Sequence, residues 1–286
     1  MWYLKIPVKI ILARLPVSYR LFRMLGMFRH GEMDSAGYAV SVFMTHLGRA
    51  RTRGLSERFT ALELGPGDSV AAALLAKIAG AEQTFLTDAG PFANHDMDVY
   101  RSVARHSVTA GRPAPDSIDF TNLETFLASC NAQYLTNGLS SLRKLPNESI
   151  DFLWSHAVLE HIRLKDFPAL VAEMRRVIRP AGICSHRVDL RDHLSGGLNN
   201  LRFPENLWES DFMARSGFYT NRIGFGQMLG LFDSGGFTTE ILNVDRWSTP
   251  PINRSAIHPA MLSNRSADLC VSGFDVVLRP AISSAD

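Results

Sequence analysis

With 286 residues, 46% of them apolar and 20% charged, the chain is long enough for one large folded domain and too apolar for wholesale disorder. Its net charge of +2 gives no bulk electrostatic case for nucleic acid. Cys130, Cys184 and Cys270 stand too far apart for a disulfide framework or a zinc spacing, which suits a reducing, cytoplasmic compartment.

The first 57 residues read as an N-terminal helical extension. Lys5, Lys9, Arg14, Arg20, Arg23 and Arg29 all precede the first acidic residue, Glu32, and alternate with Ile, Leu, Val and Phe. Residues 1–30 therefore form a basic amphipathic arm with two readings: it packs on the domain or caps a pocket, or it makes peripheral contact with a membrane surface. Lys9, Arg14 and Pro16 break its apolar runs short of the roughly 20 residues a spanning helix requires. The start has no small-residue cleavage site behind a clean apolar stretch, so secretion is not expected. Breaks fall near Pro16 and around residues 31–37, and residues 38–47 continue as a further helix.

From residue 58 the pattern alternates. Strands are expected at 60–64, 84–88, 132–135, 150–155 and 182–189, with helices at 70–78, 94–105, 123–130 and 167–178 between them. That alternation predicts a mostly parallel sheet covered on both faces, with ligands gathered beyond the carboxyl ends of its strands. Residues 190–220, rich in Asp, His, Asn, Arg and aromatic side chains, read as a substrate-side insertion. A helix at 221–232, a strand at 237–244, a polar loop at 248–266 and a last strand at 274–279 follow. No clean linker divides residues 58–280, which reads as one domain with embellishments.

The first strand runs Glu63-Leu64 into Gly65-Pro66-Gly67-Asp68-Ser69-Val70 and then a helix. Glycines at such a turn let backbone approach a ligand closely. Asp88 lies 23 residues beyond Gly65 at the end of the second strand, where a carboxylate can accept hydrogen bonds from both hydroxyls of a ribose. The ligand expected is a nucleoside derivative. A dinucleotide fits less well, because the third glycine of G-x-G-x-x-G is missing and Asp68 puts negative charge beside the turn, where an ammonium or sulfonium group is the better neighbour.

Ser149-Ile150-Asp151-Phe152-Leu153-Trp154-Ser155-His156-Ala157-Val158-Leu159-Glu160-His161-Ile162 extends the pattern, as does Met174 to Gly182 with its Ile178-Arg179-Pro180-Ala181-Gly182 turn before strand five. Together with the glycine turn and Asp88, these segments resemble a class I S-adenosylmethionine-dependent methyltransferase over about residues 58–189. The resemblance implies a Rossmann-like α/β fold, with a seven-stranded mostly parallel sheet, helices on both faces and an antiparallel last strand. By position, Glu63, Gly65, Pro66 and Gly67 would line the methionine part of S-adenosyl-L-methionine. Asp88 and Ala89 would meet the ribose. Asn137 would stand in for the acidic residue that often meets adenine, and Trp154, Ser155 and His156 would lie near the sulfonium.

Methyl transfer to oxygen or nitrogen asks for alignment, exclusion of water and removal of a proton. His193, Asp189 and His156 are the candidate bases or orienting groups, each with a plain structural alternative, while His161 reads as structural. The spacing of His186, Asp189, Asp192 and His193 matches no metal signature, and no metal is expected. Arg202, Trp208, Tyr219 and Arg222, with Phe203, Phe212 and Phe218, could recognise a small polar or sugar-containing acceptor or could form the core of a minidomain. Carboxylates in this region argue against a nucleic-acid substrate. Two other readings stay open: an NAD-dependent oxidoreductase or sugar-nucleotide enzyme, and an inactive methyltransferase-like scaffold on a membrane surface.

Overall fold

A computed structural model of the chain describes residues 35–109, 111–262 and 268–281. The expected arm of residues 1–30, with its break near Pro16, lies outside the described residues. The first described helix, α1 (Ala36–Arg51), buries Ala39, Val42, Phe43, His46, Leu47 and Ala50. Their spacing puts one stripe of the helix against the core.

Seven strands follow: β1 (Phe59–Leu64), β2 (Ala81–Thr87), β3 (Ala132–Leu135), β4 (Ile150–His156), β5 (Ile178–Asp189), β6 (Phe237–Arg246) and β7 (Val271–Pro280). They form one sheet in the order β3-β2-β1-β4-β5-β7-β6, the Rossmann-like arrangement expected. The pairs β1–β2, β1–β4 and β2–β3 are parallel. β7 is antiparallel: Leu190, just past the end of β5, donates to Ser272 near the start of β7, and Trp247, just past β6, donates to Cys270. β1 is buried along nearly its whole length, as a central parallel strand covered on both faces must be.

The parallel register does most to define the site. Leu64 pairs with both Thr87 and Ser155, and Thr87 pairs with Leu135, so four strands lie level near their carboxyl ends. The next residue on each is Gly65, Asp88, Thr136 and His156. The helices α2 (Ala71–Ile78), α3 (Met97–Thr109), α4 (Leu123–Ser129), α5 (Leu139–Leu142) and α6 (Phe167–Val177) connect the strands. Residues 71–76 of α2 are all buried, because four of them are alanines that allow close packing.

The chain divides into two compact units. One contains, among described residues, 35–156, 172–186 and 277–281; the other contains 157–171 and 187–276. In the second unit the weakly periodic insertion folds into a 3-10 turn at Asn199–Arg202 and two short helices, α7 (Glu205–Trp208) and α8 (Asp211–Ala214), followed by α9 (Phe225–Ser234).

Several boundaries differ from expectation, three of them with a local cause. β5 begins at Ile178, so the run through Gly182 is strand rather than a turn. Arg179 anchors that extension by donating to both oxygens of Asp151 at 2.6 Å. A side chain at residue 182 would meet Ile178 Cγ1 at 2.7 Å, which is why glycine stands there. α9 starts at Phe225, four residues late. Asn221 bonds the carbonyls of Leu159 and Ile162 and the amide of Ile223, and Arg222 has φ +59°, so the first four residues are held as loop. α3 starts at Met97, because Asn94 accepts from Asp96 and its carbonyl accepts from Tyr100.

Candidate functional site

At the end of β1 the chain passes through Gly65 at φ +67° and Gly67 at φ +65°, conformations that residues with a Cβ rarely adopt. Gly65 N–H donates to the Thr87 carbonyl at 2.8 Å, tying the loop to the end of β2. Gly67 N–H donates to Asp88 Oδ2 at 2.8 Å, and Ala89 N–H donates to Oδ1 at 2.6 Å. Gly67 and Asp88 thus face each other. The Asp88 side chain is only partly buried.

Asp88 is also held from behind. Its N–H donates to Leu135, and its carbonyl accepts from Gly138 at 2.7 Å. Gly138, at φ +52°, turns the chain there and brings exposed Asn137 within one residue of that bond. Tyr134 clasps the loop after β2, donating to the Gly90 carbonyl at 3.0 Å and accepting from Phe92 N–H at 3.1 Å. Tyr134 has no functional signal in the sequence, since a tyrosine on a strand reads as packing.

Glu63 sits at the penultimate position of β1 and is 3% exposed. Its Oε2 has no hydrogen-bond partner among the described residues. Burial first, and the charge of Asp88 second, push its carboxyl well above the usual range. An orphaned buried carboxyl beside a two-glycine loop suits a ligand ammonium, the group that S-adenosylmethionine carries on its amino-acid end. The residues fit that cofactor.

On β4, Trp154 is buried against Phe43 and His46, with ring centroids 5.9 and 5.1 Å away. Ser155 is also fully buried, and its hydroxyl bonds His186 Nδ1 at 2.7 Å. A cofactor contact from Ser155 would therefore run through its backbone. Burial drives His186 down to about 3, so it stays neutral.

His156 ends β4, level with Gly65, and enters a hydrogen-bonded file. Tyr38 Oη lies 3.2 Å from His156 Nε2; His156 Nδ1 lies 3.2 Å from His46 Nε2; His46 Nδ1 lies 2.8 Å from Ser185 Oγ. Sequence reasoning missed Tyr38 and His46. The only available signal for His46 was a histidine on the apolar stripe of a helix.

In the other unit, Asp189 is bound by Arg191 through Nε and Nη2, the latter at 2.6 Å. Burial works against the Asp189 anion, but Arg191 and then His193 outweigh it and hold its carboxyl below the ordinary range. His193 Nε2 lies 3.2 Å from His161 Nε2, and His161 Nδ1 bonds the Tyr219 carbonyl. An open hollow of about 330 Å³ is lined by Asp189 and residues 191–196. Asp192 shapes that loop, accepting from the amides of Leu194, Ser195 and Asn199.

Trp208, Tyr219 and Arg222 do not form an exposed recognition wall. Trp208 and Tyr219 pack with Leu194, Met213 and Phe218 as a small core, and Arg222 stacks over the Trp208 ring. Large aromatic surfaces gain more from mutual burial than from facing water. Arg202 is half-buried and donates to Asn199. Nearby, a cavity of about 20 Å³, room for one water, is lined by Glu160, Asn200 and Arg222 among others. Among the described residues, no three His, Cys, Asp or Glu side chains cluster as metal ligands, and no helix is long and apolar enough to cross a membrane.

The sequence model of the family described as "Methyltransferase domain" matches residues 62–185, the span from β1 to β5 that builds the glycine loop and Asp88. The chain carries a class I S-adenosylmethionine-dependent methyltransferase domain. As a methyltransferase it uses S-adenosylmethionine as cofactor. Among solved structures, a SAM-dependent methyltransferase from Methanosarcina mazei is similar at a TM-score of 0.50 and 17% identity, over 81% of this chain and 97% of that one. The YcgJ protein of Bacillus subtilis gives a TM-score of 0.46 and 14% identity, over 84% and 99%. Phosphoethanolamine N-methyltransferase 2 of Haemonchus contortus, solved with phosphomonomethylethanolamine and S-adenosylhomocysteine, gives 0.45 and 15%. That match covers 84% of this chain and 52% of the Haemonchus chain. No curated protein sequence matches.

Proposed function

We propose that this methyltransferase acts on an oxygen or nitrogen of a small polar acceptor, sugar-containing molecules included. The observation that supports the cofactor half of the reading is the level row of Gly65, Asp88, Thr136 and His156, closed by the Gly67–Asp88 hydrogen bond. When bound, S-adenosylmethionine supplies a methyl group activated by its sulfonium for direct displacement. Glu63, Gly65, Pro66 and Gly67 hold the amino-acid end, Asp88 and Ala89 the ribose, and Asn137 the adenine side.

The remaining work is to orient the acceptor and take its proton. Of the three candidates, His156 is the best supported, because the strand register sets it beside the glycine loop. His193, paired with His161, is the second candidate. Asp189 is a weaker base, since Arg191 stabilises its charged form. Arg202 remains an acceptor-side candidate, with Trp208, Tyr219 and Arg222 as its packed support. The arm of residues 1–30 is proposed to cap a pocket or touch an anionic membrane surface. Sedimentation with anionic liposomes, with and without those residues, tests the second option; failure of both proteins to sediment removes it.

The acceptor class is tested by methyl release from labelled S-adenosylmethionine against pooled sugars, phenols and amines. Label should appear in at least one of these pools and fall sharply in His156→Phe. Transfer only to carbon acceptors, or to none of the pools, would overturn the reading.

A further inference from the structure

We propose that His46 is a positioning residue for methyl transfer, a buried neutral imidazole that fixes His156 with its proton on Nδ1 and leaves Nε2 as the proton-accepting atom. The inference rests on the role given above to His156 and adds a residue and an atom to it.

His46 is 1% exposed, and burial, then the nearby His156, Arg49 and His186, keep it from taking a second proton. A neutral imidazole has one N–H and one bare nitrogen. His46 Nδ1 lies 2.8 Å from Ser185 Oγ, a hydroxyl that can accept from it, and the proposal sets the His46 proton on that nitrogen. His46 Nε2 is then an acceptor, and the group 3.2 Å from it, His156 Nδ1, must donate. His156 Nε2 is left with its lone pair, 3.2 Å from Tyr38 Oη.

The opposite end of the file is compatible with this arrangement: a phenol O–H can donate to a bare imidazole nitrogen, and Tyr38 Oη lies 3.2 Å from His156 Nε2. An acceptor hydroxyl or amine that takes the place of Tyr38 at Nε2, or acts through it, can lose its proton to His156. The resulting imidazolium keeps its Nδ1–H bonded to His46 Nε2, and the proton stays on His156 because His46 is held neutral. No further proton movement is required, and the transferred methyl and the released proton balance the reaction. Trp154, against the His46 ring, holds it in place.

Nitrogen-15 NMR of the imidazoles in the full chain, with and without S-adenosylhomocysteine, tests this without knowledge of the acceptor. Wild-type His156 should be protonated on Nδ1, with Nε2 bare. His46→Phe should move that proton to Nε2, and His46→Gln, whose amide oxygen can accept from His156, should restore it. Affinity for S-adenosylhomocysteine should change less than twofold in both variants. In the methyl-release assay, kcat should fall on the order of a hundredfold in His46→Phe with partial recovery in His46→Gln. Wild-type His156 protonated on Nε2 would overturn the proposal whether or not the variants fold. So would an unchanged tautomer in a folded His46→Phe. Failure to bind S-adenosylhomocysteine would instead count against the cofactor site, leaving the tautomer result to be read by itself.

Discussion

The two units of the chain solve different problems with different materials. In residues 35–156 and 172–186 the site is built by backbone: two glycines at positive φ, main-chain amides on Asp88, and a register that sets four strands level near their carboxyl ends. In residues 157–171 and 187–276 it is built by side chains that bond other side chains and loops, such as Asp192, Asn221 and Arg222. Backbone devices require particular residue types at fixed spacing; side-chain networks can be made in many ways. The first unit therefore depends on a few fixed residue types, and the second on side-chain networks that many sequences could supply.

The largest expected effect breaks the second unit. Trp208→Ala should lower stability by about 3–5 kcal/mol, as loss of a fully buried aromatic does, with a far smaller change in S-adenosylhomocysteine affinity. Urea unfolding beside calorimetry checks both. If stability holds and only acceptor KM rises, Trp208 faces substrate and the packed-core description fails. Asp192→Ala comes next, at about 1–3 kcal/mol, because three loop amides lose their acceptor.

Acid and base should pull on the molecule in opposite directions. Glu160, its carboxyl pushed up to about 8 by burial, holds a proton in the folded state that the unfolded chain has released by then. Its contribution is present below 4.5 and lost as pH rises to about 8. Glu63 has the same sign. His186, driven down to about 3, stays bare when folded while the unfolded chain takes a proton near 6.5, so stability is lost as pH falls through that range. Each group contributes a slope of at most about 1.4 kcal/mol per pH unit. Glu160→Gln should flatten the alkaline side in a series of unfolding curves, and His186→Gln the acid side. A slope unaltered by either change would contradict the buried states described. The smallest effect is expected from helix caps: Ser210→Ala in the second unit and Asn122→Ala in the first should each cost about 1 kcal/mol by thermal unfolding.

This division also explains what could be read from the residues alone. Gly65, Gly67 and Asp88 are legible because few side chains can do their work, and the alternation of strands and helices gave the sheet. Trp208 and Tyr219 left two readings open because an aromatic run has the same composition whether it lines a pocket or fills a core. His46 was silent for a related reason: on α1 it occupies a position indistinguishable from an apolar one until β4 and β5 bring His156 and Ser185 to it. The early start of β5 depends on Arg179 meeting Asp151, a long-range pair with no local signature.

The central claim, a nucleoside seated between the glycine loop and Asp88, is tested most directly by calorimetric titration of S-adenosylhomocysteine into the wild type and Asp88→Ala. The account predicts binding by the wild type and a loss of about 1–3 kcal/mol in the variant, as the ribose hydroxyls lose a charged acceptor. Absence of binding to the wild type, or equal affinity for both proteins, would contradict it.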